Sequence, residues 1–569
     1  MQAKSLGDML RSSCQKWPDK PAMMFTGSDG YQTVTYAQLF ETVRSYAAAI
    51  LSLGVKRGDK ICLQAESCIE WAYTDWACYS LGVVLVPIYP TLPEDQSQYI
   101  VKDCGAAIVI ASTEEQAGKA RDMAGVKVLL LKNAPSSVDD LANQHKDRLS
   151  RKDFEAAIDL AKPDDVATII YTSGTTGLPK GAMLSHRCFT HVCHAALGSL
   201  PIGENDTFLS FLPISHVYER VAGQALPISI GATIAYAKSL MSLSRDMESV
   251  KPTIMLCVPR FLEATRDRII DNARKAPFLR RLLFDVAHSQ VIRSQSGKFA
   301  PLAGPLSGVV GKTIRKRTGG RIRFFVSGGA ALPPHVSSFY RGFGLNVLQG
   351  YGLTETTAAT CINHPERNRP DTVGEPLEGV EVRLAYDGEI LVRGPSRMIG
   401  YYNLPKETEE AIDKDGWFHT GDIGKFDGKH LRITDRKKDL LILANGKNVA
   451  PQPIENRLRE SMFIAEAVLF GDGHEYVYGL IVPDFDRLRH EFHTVEANAT
   501  LAEDERVKQL IKSELDKINK TLADYERVKK HAILNAAFSI EGGELTPSLK
   551  VKRKVVREKY ASVLEAIVG

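Results

Sequence analysis

VATIIYTSGTTGLPKGAMLSHRCFTHVCHAALGS, residues 166–199, passes from a β-branched run through a string of glycines and hydroxyl residues into a helical pattern. VATIIYT predicts a buried strand. Ser185, followed by Phe189, Val192, Cys193 and Ala196 at helical spacing, predicts a capped helix. Between the two, glycines allow close backbone approach, threonine and serine hydroxyls donate to anionic oxygens, and Lys180 supplies a point charge. That chemistry suits a polyphosphate. The loop is not the familiar GxxxxGK[ST], because GTTGLPKG departs from it at Pro179 and Gly181.

Outward from this loop, apolar β-branched runs alternate with amphipathic helical patterns: KICLQ, VVLVPIY, AAIVIAS and KVLLLK before it, TIMLCVP and RIRFFVS after it. The alternation predicts an α/β fold with largely parallel, buried strands. From about residue 373 the texture changes to short strands with tight turns, as in GVEVRLAYDGEILVRG, and after TDRKKD to a compact α+β pattern. The expected organisation is a large domain over 1–434, with a β-rich subdomain at about 373–434, and a small domain over 435–569.

Two further segments repeat the grammar of strand followed by small residues, RIRFFVSGGAAL and LNVLQGYGLTETT. Ligands of α/β sheets bind outside the carboxyl ends of strands, so the three loops can converge. Tyr351 offers a flat face for a base, Thr354 a donor, and Glu355 a carboxylate for a magnesium ion among phosphate oxygens. The same residues also read as an ordinary core aromatic and a first-turn helix acid.

Composition bounds the rest. With 72 Lys and Arg against 68 Asp and Glu, the balance argues against nucleic acid as a main partner. Nine cysteines without metal-like pairing read as reduced packing residues of an intracellular protein. The N-terminal residues lack the apolar core of a signal peptide, and the best apolar run, residues 78–90, is too short to span a bilayer. The expected location is the cytoplasm, with peripheral contact at the inner face of the membrane. FLRRLLFDVAHSQVIR bears on that contact: Leu279, Leu282, Leu283 and Val286 share a helical face beside Arg280, Arg281 and Arg293. Such a helix either lies on a membrane or, as the commoner outcome, turns this face to the core.

YTSGTTGLPKGAMLSH, SGGAAL, QGYGLTETT, DGWFHTGD and TDRKKDLLILANGKNVAP, in that order, resemble the motifs of the adenylate-forming enzymes: acyl-CoA synthetases, luciferases and peptide-synthetase adenylation domains. DGWFHTGDIGKFDGKHLRITDRKKD and LTPSLKVKRK are similar to the bacterial-type long-chain fatty acid:CoA ligases within that superfamily. The resemblance implies ATP-dependent activation of a long-chain fatty acid through acyl-AMP to acyl-CoA, with Mg2+ and with ATP and CoA as co-substrates. It implies that Thr172, Ser173, Gly174, Thr175, Thr176, Gly177 and Lys180 embrace the β- and γ-phosphates, with Thr172 and Glu355 near the metal. Gly328, Gly329, Gln349, Gly350 and Tyr351 would form the adenine slot, and Thr354 would touch the α-phosphate. Asp422 would accept the ribose hydroxyls with Arg436 in support, and His216 would lie beside the acyl carboxylate. Asp435 would be the hinge, and Lys550 the tail lysine that bridges carboxylate and α-phosphate. The chain departs from the family's patterns at Arg220, where some fatty acyl ligases carry a tryptophan gate, at Ile442, and at Leu549 before the tail lysine. The alternatives are an enzyme that adenylates a short or aromatic acid or passes its product to a carrier protein, and a non-catalytic nucleotide-binding regulator.

Overall fold

The computed structural model describes residues 3–172, 178–295, 299–301, 303–539, 541–545 and 551–569, and its fold is α/β. Among these residues one sheet has seven strands, in the order Gly400–Tyr401, Lys180–Ser185, Val166–Thr172, Val84–Ile88, Lys60–Gln64, Ile108–Ala111 and Lys127–Leu130. A second has nine, and its centre runs Asn346–Tyr351, Phe324–Ser327, Ile254–Cys257, Thr207–Ser210, Thr233–Tyr236. These central strands pair in parallel, as continuous burial on both faces requires.

The strand read from VATIIYT is present as Val166–Thr172, and Ser185 caps the helix His186–Ser199 by accepting from the Cys188 amide. The pattern alone did not reveal the strand between them. Lys180–Ser185 turns back antiparallel to Val166–Thr172, so a hairpin closes around the glycine-rich loop and Thr172 lies opposite Lys180. Of that loop, Ser173–Gly177 lie outside the described residues, as does Lys550.

Between the sheets lie the helices Leu6–Lys16, Tyr36–Ser52, Ile69–Leu81 and His186–Ser199, and their apolar side chains join strand residues of both sheets in one core. A four-stranded antiparallel sheet follows, formed by Glu381–Leu384, Glu389–Arg393, Phe418–Asp427 and His430–Arg436. Asp435 and Arg436 are the last two residues of that sheet, opposite Ile423 and Asp422. Residues from 441 onward build apolar cores of their own.

One expectation is reversed in part. In the helix Phe278–Gln295 the buried side chains are Phe284, Ala287 and Val291, while Phe278, Leu279 and Leu282 are 70%, 77% and 48% exposed. Leu279 and Leu282 therefore point outward, whereas Leu283 and Val286 of the same expected face are half-buried and Leu283 packs against the core. Packing selected the Phe284 stripe because Phe343 stacks on it, with ring centroids 5.9 Å apart.

Arg220 also departs from the gate position it occupies in the family pattern. It is 1% exposed, it does not line the central cavity, and its Nε donates to Asp75 Oδ2 at 2.8 Å. A second nitrogen pairs with Asp75 Oδ1, and Nη1 donates to Thr168 Oγ1 at 2.7 Å. The guanidinium lies 5.1 Å from the Tyr79 ring and 5.5 Å from that of Trp71. Breaking a buried pair by removing one partner costs about 3–5 kcal/mol, whereas replacing both partners by apolar groups is often neutral. Asp75→Ala should therefore lower the denaturant midpoint well below that of Asp75→Leu/Arg220→Met. A double variant whose loss equals the sum of the single losses would refute the coupling.

Candidate active site

The expected nucleotide residues come together where strand ends of the nine-stranded sheet meet the four-stranded sheet. Tyr351, the last residue of its strand, donates its hydroxyl to Asp422 Oδ2 at 2.7 Å, and Arg436 Nε lies 3.3 Å from Asp422 Oδ1. One buried carboxylate is thus fixed from both sides, with its acceptor geometry set in advance. Gln349 is held by the Leu332 amide at 3.1 Å and by its own donation to the Pro370 carbonyl. Gly328 has a specific reason to lack a side chain: a Cβ there would sit 3.1 Å from the Tyr218 ring, which in turn donates to the Val326 carbonyl at 2.9 Å. Gly329 occupies the left-handed region at φ +83°. Together these leave a slot between backbone and ring, with Gly350 and Tyr351 on its other side.

Glu355 follows in the short 3-10 turn Thr354–Thr356. Its Oε1 accepts from the Tyr401 hydroxyl at 2.9 Å, and burial raises its pKa. The Tyr401 ring lies 5.3 Å from Lys180 Nζ, so one aromatic residue spaces the carboxylate from the ammonium. The turn ends on Thr357 and Ala358 at φ +54° and +72°, two successive left-handed residues without glycine. Such strain persists only where the surroundings enforce it. Here the Thr357 hydroxyl donates to the Ser396 carbonyl at 2.7 Å. Thr172, Lys180 and Thr354 line the same cavity as Glu355.

His216 lies at the entry to the helical segment that carries Arg220. Its Nδ1 accepts the Tyr218 amide at 3.1 Å, which places the proton of the neutral ring on Nε2. It lines the cavity with Thr354, and the wall around them is apolar: Val192, Ala196, Leu226, Leu256 and Val326 among others. The whole space measures about 2480 Å³, well above the roughly 300–1,000 Å³ of ordinary small-molecule sites. On the far side it is bounded by Val551, Lys552, Arg553 and Arg557, the chain that follows Lys550.

Asp435 does not enter the cavity. Its carboxylate accepts from its neighbour Arg436 N at 2.6 Å and from Gln452 N at 3.2 Å, at the start of the helix Pro451–Leu458, and burial lifts its pKa to about 6. It ties the end of the antiparallel sheet to the segment beyond it.

The AMP-binding enzyme family matches residues 10–402, and the family of C-terminal domains of AMP-binding enzymes matches residues 438–568. The chain belongs to the AMP-binding enzymes. Among curated relatives, it is 34% identical to long-chain-fatty-acid–CoA ligase FadD15 of Mycobacterium bovis, over 95% of this chain and 93% of the relative. It is 30% identical to long-chain-fatty-acid–CoA ligase 1 of Homo sapiens, over 96% of this chain and 83% of that one. Among solved structures, O-succinylbenzoate coenzyme A synthetase of Bacillus subtilis, in complex with ATP and magnesium ion, has the same fold with a TM-score of 0.71. At 23% identity the match covers 96% of this chain and 98% of that one.

Tyr401 and Tyr218 are among the cavity residues that the motifs did not single out. Tyr401 sits in a two-residue strand and Tyr218 in an apolar run, and neither carries a local pattern that marks chemistry. In this AMP-binding enzyme, Tyr401→Phe keeps the ring beside Lys180 but removes the hydrogen bond to Glu355. A hydrogen bond to a charged group is worth about 1.5–3 kcal/mol. ATP–pyrophosphate exchange should fall roughly 10- to 100-fold with the thermal midpoint little changed; unchanged exchange would remove Tyr401 from the site.

Proposed function

We propose that the protein is a long-chain fatty acid:CoA ligase that forms AMP and pyrophosphate. The observation that carries this reading is one cavity, about 2480 Å³ in all, whose lining takes in Tyr351, Asp422, Thr354 and His216 together with the apolar side chains Val192, Ala196, Leu226, Leu256 and Val326. The relatives that match over nearly the whole chain support the same substrate class.

The chemistry follows from the placement. A carboxylate oxygen of the acid beside His216 bonds to the α-phosphorus near Thr354, and the bond from that phosphorus to the bridging oxygen of pyrophosphate breaks. The thiolate of CoA then attacks the carbonyl carbon and AMP departs, which replaces the hopeless oxide leaving group of a free acid. The protein's work is to position the reactants and neutralise phosphate charge, with Lys180 and the loop at residues 173–177 on the β- and γ-phosphates. Asp422, held by Tyr351 and Arg436, accepts the ribose hydroxyls.

Glu355 and Thr172 would hold Mg2+. Glu355 fits the role because it is enclosed and among the described residues no salt bridge neutralises it, and a magnesium ion asks for one or two carboxylates plus phosphate oxygens. Among the described residues no cluster of three His, Cys, Asp or Glu side chains offers an all-protein cage. When bound, the ion would offset the charge of the triphosphate.

Asp435 is the proposed hinge and Lys550 the proposed tail lysine. Val551 and Lys552 line the cavity, and an antiparallel bridge joins Leu545 to Val551. Lys550→Ala should lower adenylate formation by about 10² to 10³ while supplied acyl-AMP and CoA still give acyl-CoA. If Lys552→Ala shows that split instead, the catalytic lysine is Lys552.

The direct test of the function is incubation with ATP, magnesium, CoA and acids of graded length. AMP and thioester formed with long chains are expected. A preference for short or aromatic acids, AMP without thioester, or no AMP at all would each overturn the reading.

We infer a cytoplasmic protein that works at the inner face of a membrane. All nine cysteines are free, eight of them buried, which supports a reducing compartment. Among the described residues no helix is long and apolar enough to cross a membrane. The outward face of Phe278–Gln295 supports surface contact: Phe278, Leu279 and Leu282 project there, and residues 266–323 hold 14 Lys and Arg against three acids in a chain whose net charge is only +4. This helix packs on Pro259–Arg274, whose Arg260, Phe261 and Glu263 line the cavity, so the face lies next to the acyl site. Leu279→Ser/Leu282→Ser should abolish co-sedimentation with vesicles containing phosphatidylserine but leave turnover of detergent-dispersed acid intact; undiminished co-sedimentation would exclude this face.

A further inference from the structure

The apolar wall of the acyl cavity carries one polar cluster that the reaction does not use. Ser210 and Tyr236 end two paired parallel strands and stand opposite each other. Tyr236 donates its hydroxyl to Gln224 Oε1 at 2.6 Å, and Gln224 Nε2 donates to Ser210 Oγ at 3.2 Å. Ser210 Oγ in turn donates to Glu219 Oε1 at 2.6 Å, and Gln224 adds a longer contact of 3.4 Å to the same oxygen. All four residues are at most 4% exposed, and Ser210, Glu219 and Tyr236 line the cavity. Gly223 makes the arrangement possible, since a Cβ there would lie 2.3 Å from Glu219 Oε1.

The hydrogen bonds run one way, from Tyr236 through Gln224 and Ser210 to Glu219. Among the described residues Glu219 has no ion-pair partner, and the adjacent Arg220 is committed to Asp75. Burial pushes the Glu219 carboxyl up to about 7. In the neutral acid Oε1 is already taken as acceptor, so the proton resides on Oε2, and among the described residues Oε2 has no hydrogen-bond partner. The relay ends in a donor with nothing to receive it. Glu219 lines the cavity, so a substrate oxygen can reach Oε2, and a site built to hydrogen-bond a substrate oxygen discriminates strongly for it.

We propose that Glu219 is a hydrogen-bonding subsite for an oxygen carried on the acyl chain, so that the cavity accepts oxygenated fatty acids such as hydroxy acids. Glu219 follows His216 by three residues, about 5 Å along a helical segment, so the oxygen belongs to the carboxyl-proximal half of the chain rather than to its tail. The inference rests on the proposed ligase function and specifies its substrate class.

The test is kcat/KM for AMP release by the full chain with hexadecanoic acid and its monohydroxy regioisomers. Near pH 6.5, a hydroxyl at one proximal position should be accepted as well as the plain chain, while hydroxyls elsewhere lower kcat/KM about 10-fold or more. Glu219→Leu should lower the favoured isomer about 10- to 100-fold relative to hexadecanoic acid. Glu219→Gln keeps a donor in place and should retain the preference. Raising the pH through about 7 removes the Oε2 proton, but the substrate hydroxyl can then donate to the carboxylate, so the preference of the native protein should persist to pH 8.5. The neighbouring Tyr236, Tyr218 and Cys257 are pushed up by burial and stay neutral over this range. A uniform response to every hydroxyl position, or an equal loss of plain and hydroxylated acids in Glu219→Leu, would overturn the subsite. Failure of the native protein to activate hexadecanoic acid would overturn the ligase function itself, whereas activation without a hydroxyl preference overturns this inference alone.

Discussion

The buried pair between Asp75 and Arg220 fixes the geometry on which the site depends. Asp75 belongs to a helix between the two large sheets, and Arg220 to the segment that begins at His216. The third partner, Thr168, is in the strand that ends at the phosphate loop, and its hydroxyl continues to the Leu85 carbonyl at 2.6 Å on the neighbouring strand. One guanidinium therefore sets the distance between the hairpin that carries Lys180 in one sheet and His216 beside the other. In so dry a place the charges hold their partners strongly, and the cost of desolvation is met only by the complete set of contacts.

With that distance fixed, the cavity gains its two characters. Toward the four-stranded sheet it is polar and preorganised: Tyr351 and Arg436 aim Asp422, and Tyr401 holds Glu355 apart from Lys180. Toward the helical segment after His216 it is apolar, apart from the Glu219 cluster. The Glu219–Ala225 turn is a π-helix, a form that recurs at functional sites because the extra residue per turn re-aims side chains. Here Glu219 faces the cavity and the next residue, Arg220, faces away from it. The seam between the large and small domains is polar, with Arg487 on Asp271 at 2.7 Å and His335 near Glu460 at 3.4 Å. Contacts of this kind are weak enough to be exchanged when a domain turns.

The sequence by itself determined the α/β class, the strands and the family. Continuous β-branched runs such as KICLQ and TIMLCVP allow little but buried parallel strands, and glycine with hydroxyl chemistry after such strands leaves few other guests than phosphate. Local rules were enough there, as they were for the Ser185 cap. Only the tertiary structure decided the rest. Lys180–Ser185 became a strand because Val166–Thr172 lay ready to pair with it, and Leu279 and Leu282 turned outward because the Phe284 stripe found Phe343. Arg220 stands in sequence where some fatty acyl ligases carry a tryptophan gate, and what it does is set by Asp75, 145 residues away. Tyr401 and Glu219 were silent for the same reason: a residue's role in a site comes from long-range neighbours, and neither spacing nor periodicity encodes which buried donor will meet which acceptor.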